Sequence, residues 1–159
     1  MIKLFVMDVD GTMTDGAVYL DGNGGEFKRF DVRDGLGISM LLRQGIGAAI
    51  ISGRKSAVTS RRAEELGIDR VLQGIKDKMK ALRQMSEEIS LDPSEIAYMG
   101  DDANDAECLE WAGMGFAPSD SRREALDAAD VIVPSRGGYG AVRDAVEIIL
   151  SGKVKEAAE

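Results

Sequence analysis

The sequence predicts an α/β fold, a doubly wound, three-layer, Rossmann-like parallel sheet carrying an inserted β-hairpin. Three observations carry this. Short apolar runs alternate with helical segments of about ten residues, several runs are nearly continuous as in strands buried on both faces, and polar turn residues close them. Chains rarely divide below roughly 250 residues, so the 159 residues are expected to form one domain over 1–159.

The elements follow in order. Residues 2–7 read as a buried strand that stops at Asp8. Residues 17–20 and 26–30 flank Asp21-Gly22-Asn23-Gly24-Gly25, a turn composition that makes a hairpin of about 16–31. Leu36, Met40 and Leu41 share one helical face before Gly45, and 46–51 is the next strand, ending at Ser52-Gly53-Arg54. A helix over 55–66 ends at Gly67, a minimal strand occupies 70–72, and helical charge spacing marks 76–89. After Pro93, residues 96–99 form a strand and 103–111 a helix. Strands at 113–117 and 131–133 bracket a helix over 121–128, and 140–150 is a final helix that leaves a tail of about 151–159.

Composition removes whole classes of chemistry. There is no histidine, so imidazole catalysis and His-ligated zinc are excluded, and the single Cys108 permits neither an internal disulfide nor a cysteine zinc cluster. A formal charge of −8 without a basic block disfavours nucleic acid and anionic membranes. No apolar run approaches the ~18 residues of a membrane helix, and Asp8 arrives too early for a signal peptide, so a cytoplasmic protein is expected.

Carboxylates gather where strands end. Asp8 and Asp10 of Asp8-Val9-Asp10-Gly11-Thr12 point the same way from extended backbone, and Gly11 lets the chain turn off. Two adjacent carboxylates need a shared proton or a cation, for which Mg²⁺ is the natural partner, although a solvated turn would look alike. Gly100-Asp101-Asp102-Ala103-Asn104-Asp105 supplies three more acids, more than a helix cap requires. Ser52 could seat an anion or merely cap a helix, and Lys78, between Lys76 and Lys80, could be functional or surface.

The order of these motifs resembles that of the haloacid dehalogenase superfamily, most of whose members are phosphatases. The resemblance spans nearly the whole chain and implies that Asp8 attacks phosphorus to give an aspartyl-phosphate, with Asp10 as acid and then base. It further implies that Ser52 and Lys78 hold phosphoryl oxygens, that Asp8, the Asp10 carbonyl and Asp101 bind Mg²⁺, and that Asp102 and Asp105 support them. The intervals between Asp10, Ser52 and Lys78 are filled by the elements above, so no cap domain fits.

More narrowly, residues 8–16, 30–35, 72–74 and 136–143 are similar to the uncapped 3-deoxy-D-manno-octulosonate 8-phosphate phosphatase group. That group includes 9-phosphate nonulosonate phosphatases and the phosphatase-like domain of some acylneuraminate cytidylyltransferases. The resemblance implies a small sugar-phosphate substrate of lipopolysaccharide biosynthesis, contacts from Thr12, Gly53, Arg54, Arg62 and Arg136, and a homotetramer. In it the hairpins pack together, and the glycine-rich segment of one subunit closes its neighbour's site. Arg54 tilts the choice toward the eight-carbon sugar; a nonulosonate phosphatase and a silent tetramerisation domain are the alternatives, and Arg54 and Arg62 could equally be solvated, with Glu65 pairing Arg61 or Arg62. A receiver-like domain would carry its phosphorylated Asp after the third strand, not the first.

Overall fold

Strand β1 (Leu4–Met7) is buried on both faces because its alternation sends Phe5 and Met7 to one side and Leu4 and Val6 to the other. The computed structural model describes residues 1–157, with side chains as far as residue 152. After β1 come a two-stranded ribbon, β2 (Tyr19–Leu20) and β3 (Glu26–Phe27), helix α1 (Val32–Arg43) and strand β4 (Gly47–Ile51). Next are α2 (Ala57–Leu66), β5 (Arg70–Leu72), α3 (Lys78–Glu88), β6 (Ile96–Met99) and α4 (Ala106–Trp111). The chain continues through β7 (Met114–Ala117), α5 (Arg123–Ala128), β8 (Val131–Ile132) and α6 (Ala141–Ala157).

Six strands form one parallel sheet in the order β5-β4-β1-β6-β7-β8. Helices α1, α2 and α6 bring Ile38, Leu41, Ala63 and Val146 against Phe5 and Met7, while α3, α4 and α5 bring Leu82, Met85, Leu109 and Ala125 against Leu4 and Val6. The predicted three-layer, doubly wound sheet is therefore present, and among the described residues no cap domain interrupts it. The chain leaves β1 for β4 and β5, then returns past β1 to β6. The switch point thus lies between β1 and β6, where such sheets bind ligands beyond the strand ends.

Several boundaries differ from expectation for local reasons. Helix α1 starts at Val32, ahead of Leu36, because Asp31 caps it: its carboxylate accepts the Arg33 N–H at 2.8 Å and pairs with the Arg33 guanidinium, which holds the Asp31 carboxyl down at about 2. Strand β1 starts at Leu4 rather than residue 2, and the hairpin strands shrink to two residues each, although a Thr14–Phe30 bridge extends the ribbon's base. The 103–111 helix opens with a single 3₁₀ turn, Ala103–Asp105, boxed by Asp102 and Asp105. Helix α6 does not stop at 150; its helix-forming Lys, Glu and Ala residues carry it to Ala157, so the expected 151–159 tail is largely helix, with 158–159 outside the described residues.

One buried acid takes no part in the site described below. Asp34, in the first turn of α1, accepts the Arg143 N–H at 2.9 Å through Oδ1, while Oδ2 is buried without a hydrogen-bond partner among the described residues. Burial lifts its carboxyl to about 6; the Arg143 N–H and Arg33 oppose that rise, and Asp31 and Asp144 add to it. The folded protein therefore binds a proton here more tightly than the unfolded chain, so stability falls as pH rises from about 4 to about 6 and stays lower above. Asp34→Asn is expected to stabilise the protein by about 1–3 kcal/mol at pH 8 and by almost nothing at pH 4, as read by urea unfolding at both pH values.

Candidate active site

Register places the chemistry. Met7 of β1 lies opposite Ile50 of β4 and Met99 of β6, so the residues just beyond these strands, Asp8, Ser52 and Asp101, emerge side by side. The Asp8 N–H continues the ladder to the Met99 carbonyl at 2.9 Å. Gly11 then turns the chain with φ +89°, and a Cβ there would stand 2.0 Å from Asp101 Oδ2, so only glycine lets the β1 loop pass this close to the second acid.

Asp8, Asp101 and Asp105 each offer an oxygen within 4.8 Å of the others. Lys78, the first residue of α3, is only 3% exposed and donates at 2.8 Å to Asp8 Oδ1 and to Asp105 Oδ1. It is therefore not part of the surface charge of Lys76 and Lys80. Asp105 has no oxygen left to offer: Oδ1 also accepts the Tyr98 hydroxyl at 2.7 Å, and Oδ2 accepts the Asp101 and Asp102 N–H groups at 3.0 and 3.2 Å. Asp105 thus fixes the β6 loop and Lys78, and Asp8 and Asp101 are the open pair.

That pair is electrostatically incomplete. Burial, then the Asp8 carboxylate, pushes the Asp101 carboxyl up to about 9, and burial and Asp105 raise Asp8 despite the opposing pull of Lys78. Burial pulls the Lys78 amine down, but Asp8 and Asp105 outweigh it and keep it charged. Two carboxylates in contact, Asp8 buried and Asp101 half-buried, require a shared proton or a cation, and an all-oxygen set suits a hard divalent ion such as Mg²⁺.

The other predicted residues fall into three groups. Asp10 stands at the mouth of the site with Oδ1 2.9 Å from Lys28 Nζ and Oδ2 3.9 Å from Arg54. Ser52 is buried at the end of β4, and Gly53 and Arg54 are exposed beside it. Thr12 faces inward, its hydroxyl donating to Asp101 Oδ1 at 3.0 Å, so it supports that acid instead of presenting its hydroxyl to a ligand. Asp102 is exposed and caps the 3₁₀ turn through the Ala103 N–H at 2.7 Å.

Arg62 and Arg136 are not brought to the acids by any contact among the described residues. Arg62 stacks on Phe30 at 5.5 Å and lies 3.5 Å from Glu65, which also meets Arg61 at 3.8 Å. Arg136 pairs with Asp120 at 3.5 Å and stands over Tyr139. The glycine-rich segment packs on its own chain: a Cβ at Gly137 would fall 1.9 Å from the Gly11 carbonyl oxygen, and Arg29 donates to the Gly138 carbonyl while covering Tyr139 at 3.9 Å.

Four residues escaped the sequence reading. Tyr98 sits in an apolar run, where its hydroxyl was the only hint of a buried partner. Glu26 and Lys28 share the inward face of the hairpin while Phe27 points out, a period-two signal hidden by the shortness of β3. Ser56 caps α2 and donates its hydroxyl to Glu26.

A family model for haloacid dehalogenase-like hydrolases matches residues 70–145. The chain is 39% identical over 158 residues, 98% of its length and 84% of the relative's, to the 3-deoxy-D-manno-octulosonate 8-phosphate phosphatase KdsC of Escherichia coli K12. The phosphatase of that name from Moraxella catarrhalis, solved with magnesium, phosphate and KDO, superposes with a TM-score of 0.92 at 43% identity, covering 94% of this chain and 86% of that one. The cobalt-bound Haemophilus influenzae enzyme gives 0.90 at 37% identity over 94% and 88%. Near-complete coverage at this identity, together with the acids and lysine converging at the β1/β6 switch point, shows that the chain belongs to the haloacid dehalogenase-like hydrolases, in the group formed by these octulosonate phosphatases.

Proposed function

We propose that the protein is a Mg²⁺-dependent phosphatase of a 2-keto-3-deoxy sugar-acid phosphate, most closely 3-deoxy-D-manno-octulosonate 8-phosphate, acting as a single domain. The observation that carries this is the Lys78 bridge between Asp8 and Asp105, with Asp101 alongside. It leaves a held carboxylate, an ammonium and an incomplete oxygen-ligand set at one strand-end site. Such a constellation suits phosphoryl transfer, where positioning and charge neutralisation do most of the work.

Asp8 and Asp101, with the Asp10 backbone carbonyl, are the residues that would hold Mg²⁺. When bound, the ion neutralises charge between the anionic carboxylate and the anionic phosphate. Asp8, one oxygen fixed by Lys78, attacks phosphorus, and the bond to the sugar oxygen breaks. Asp10 gives its proton to that departing oxygen. Asp10 then takes a proton from water, whose oxygen attacks the phosphoryl group, releasing phosphate and restoring Asp8. Ser52 and Lys78 hold phosphoryl oxygens, with Gly53 and Thr12 shaping the same pocket, Thr12 through Asp101. Arg54, exposed 3.9 Å from Asp10, meets the sugar acid, and Arg62 and Arg136 act from further out.

A homotetramer belongs to this reading. It is supported by the apolar outward face of the hairpin, where the cross-strand partners Tyr19 and Phe27 are 56% and 67% exposed. Among the described residues no helix is long and apolar enough to cross a membrane, which accords with a cytoplasmic setting. Specificity constants for the eight-carbon and nine-carbon sugar-acid phosphates test the substrate. The expected result is a higher value for the octulosonate, lost on adding EDTA and regained with excess Mg²⁺; preference for the nonulosonate would move the assignment to the related phosphatases, and no hydrolysis of either would leave a silent assembly domain.

A further inference from the structure

We propose that Lys28, on the inserted hairpin, is a positioning residue for Asp10, so that the hairpin completes the catalytic centre of its own chain. This rests on the reading of Asp10 as acid and base. A lysine on a short surface ribbon would ordinarily extend into water, because burying an ammonium costs hydration and about 2 kcal/mol of rotamer freedom. The Lys28 side chain is instead 0% exposed, with Nζ 2.9 Å from Asp10 Oδ1. Its further neighbours are Thr59 Oγ1 on α2 at 3.4 Å and Glu26 Oε1 at 3.9 Å.

The ribbon itself is latched. Glu26, two residues earlier and on the same face, accepts from the Ser56 hydroxyl and from Arg54 at 3.1 Å, tying the hairpin to the loop after β4 and to the start of α2. Lys28 therefore reaches Asp10 from an anchored backbone, with its ammonium also held by a helix. One oxygen of Asp10 is paired with the ammonium by charge at 2.9 Å, outside hydrogen-bond angles, and the other is left facing the side where Arg54 stands at 3.9 Å. A general acid acts only within hydrogen-bond reach of its target, so a carboxylate at the open mouth of an uncapped site needs such a restraint. In the step concerned the proton leaves the Asp10 carboxyl for the sugar oxygen as the phosphorus–oxygen bond breaks.

Leaving-group dependence separates positioning from mere latching. A sugar alkoxide needs that proton, whereas p-nitrophenolate departs without it. In single-turnover experiments with Mg²⁺, Lys28→Met should slow phosphoryl transfer from the octulosonate phosphate about 30-fold or more, with transfer from p-nitrophenyl phosphate within about 3-fold of the unaltered protein. Lys28→Arg should recover most of the loss. Lys28→Gln, polar but uncharged and one bond too short to reach Asp10, should show the same loss and the same split as Lys28→Met if the methionine variant does not fold. Glu26→Ala, which loosens only the latch, should slow both substrates by one factor. Equal losses for both substrates in the Lys28 variants, or none, would overturn the inference. Asp10→Asn is the control: if it shows no split, the role given to Asp10 fails; if it shows the split and the Lys28 variants do not, Lys28 alone is misassigned.

Discussion

Asp8→Asn is expected to lower turnover at least about 10⁴-fold, the scale seen when a covalent nucleophile is removed, while the protein stays folded. The geometry explains both halves. Asparagine is close to isosteric and keeps an oxygen for the Lys78 ammonium, 2.8 Å away in the unaltered protein, so neither the Asp8 loop nor α3 loses an anchor. It also removes the Asp8 charge that, after burial, raises the half-buried Asp101 carboxyl. Stability without Mg²⁺ should therefore be unchanged within about 1 kcal/mol or increase, as measured by urea unfolding. Turnover within 10-fold of the unaltered protein would remove Asp8 from the chemistry.

Lys78→Met should behave in the opposite way, losing activity and stability together. Lys78 is the buried cation that touches two of the three acids, and removing it leaves Asp8 and Asp105 unpaired beside Asp101. Breaking one partner out of a buried ion pair costs about 3–5 kcal/mol, and loss of one electrostatic contact to a transferring group costs about 10²–10³ in turnover. Added Mg²⁺ should restore part of the stability by binding the folded acids, but not the turnover. Thermal unfolding with and without Mg²⁺, run beside Asp8→Asn, checks this: equal stability of the two variants would contradict the bridging role.

The sheet and its acids were legible in the sequence because they obey local rules. Buried parallel strands are written as apolar runs, so β4, β5 and β6 could be placed nearly to the residue, and the acids after β1 and β6 stood out against them. What could not be read was set by distant contacts. Nothing near residue 28 announces that its ammonium is buried against Asp10, and nothing near Tyr98 tells that its hydroxyl serves Asp105 across the β6 loop. Arg62 and Arg136 are placed by contacts of the same distant kind. Within the chain Arg62 lies against Phe30 and Glu65, and Arg136 against Asp120 and Tyr139. Asp105, expected to support, proved to be the acid on which the site is built, because its four acceptor positions fix Lys78, Tyr98 and the β6 loop together.

The most direct measurement is acid-quench trapping during turnover of a sugar-acid phosphate with Mg²⁺, followed by peptide mass analysis. A phosphoryl group on the peptide carrying Asp8, absent from Asp8→Asn and longer-lived in Asp10→Asn, is the predicted result. Steady turnover with no phosphorylated peptide in Asp10→Asn or the unaltered protein, or a phosphoryl group on any other residue, would contradict it.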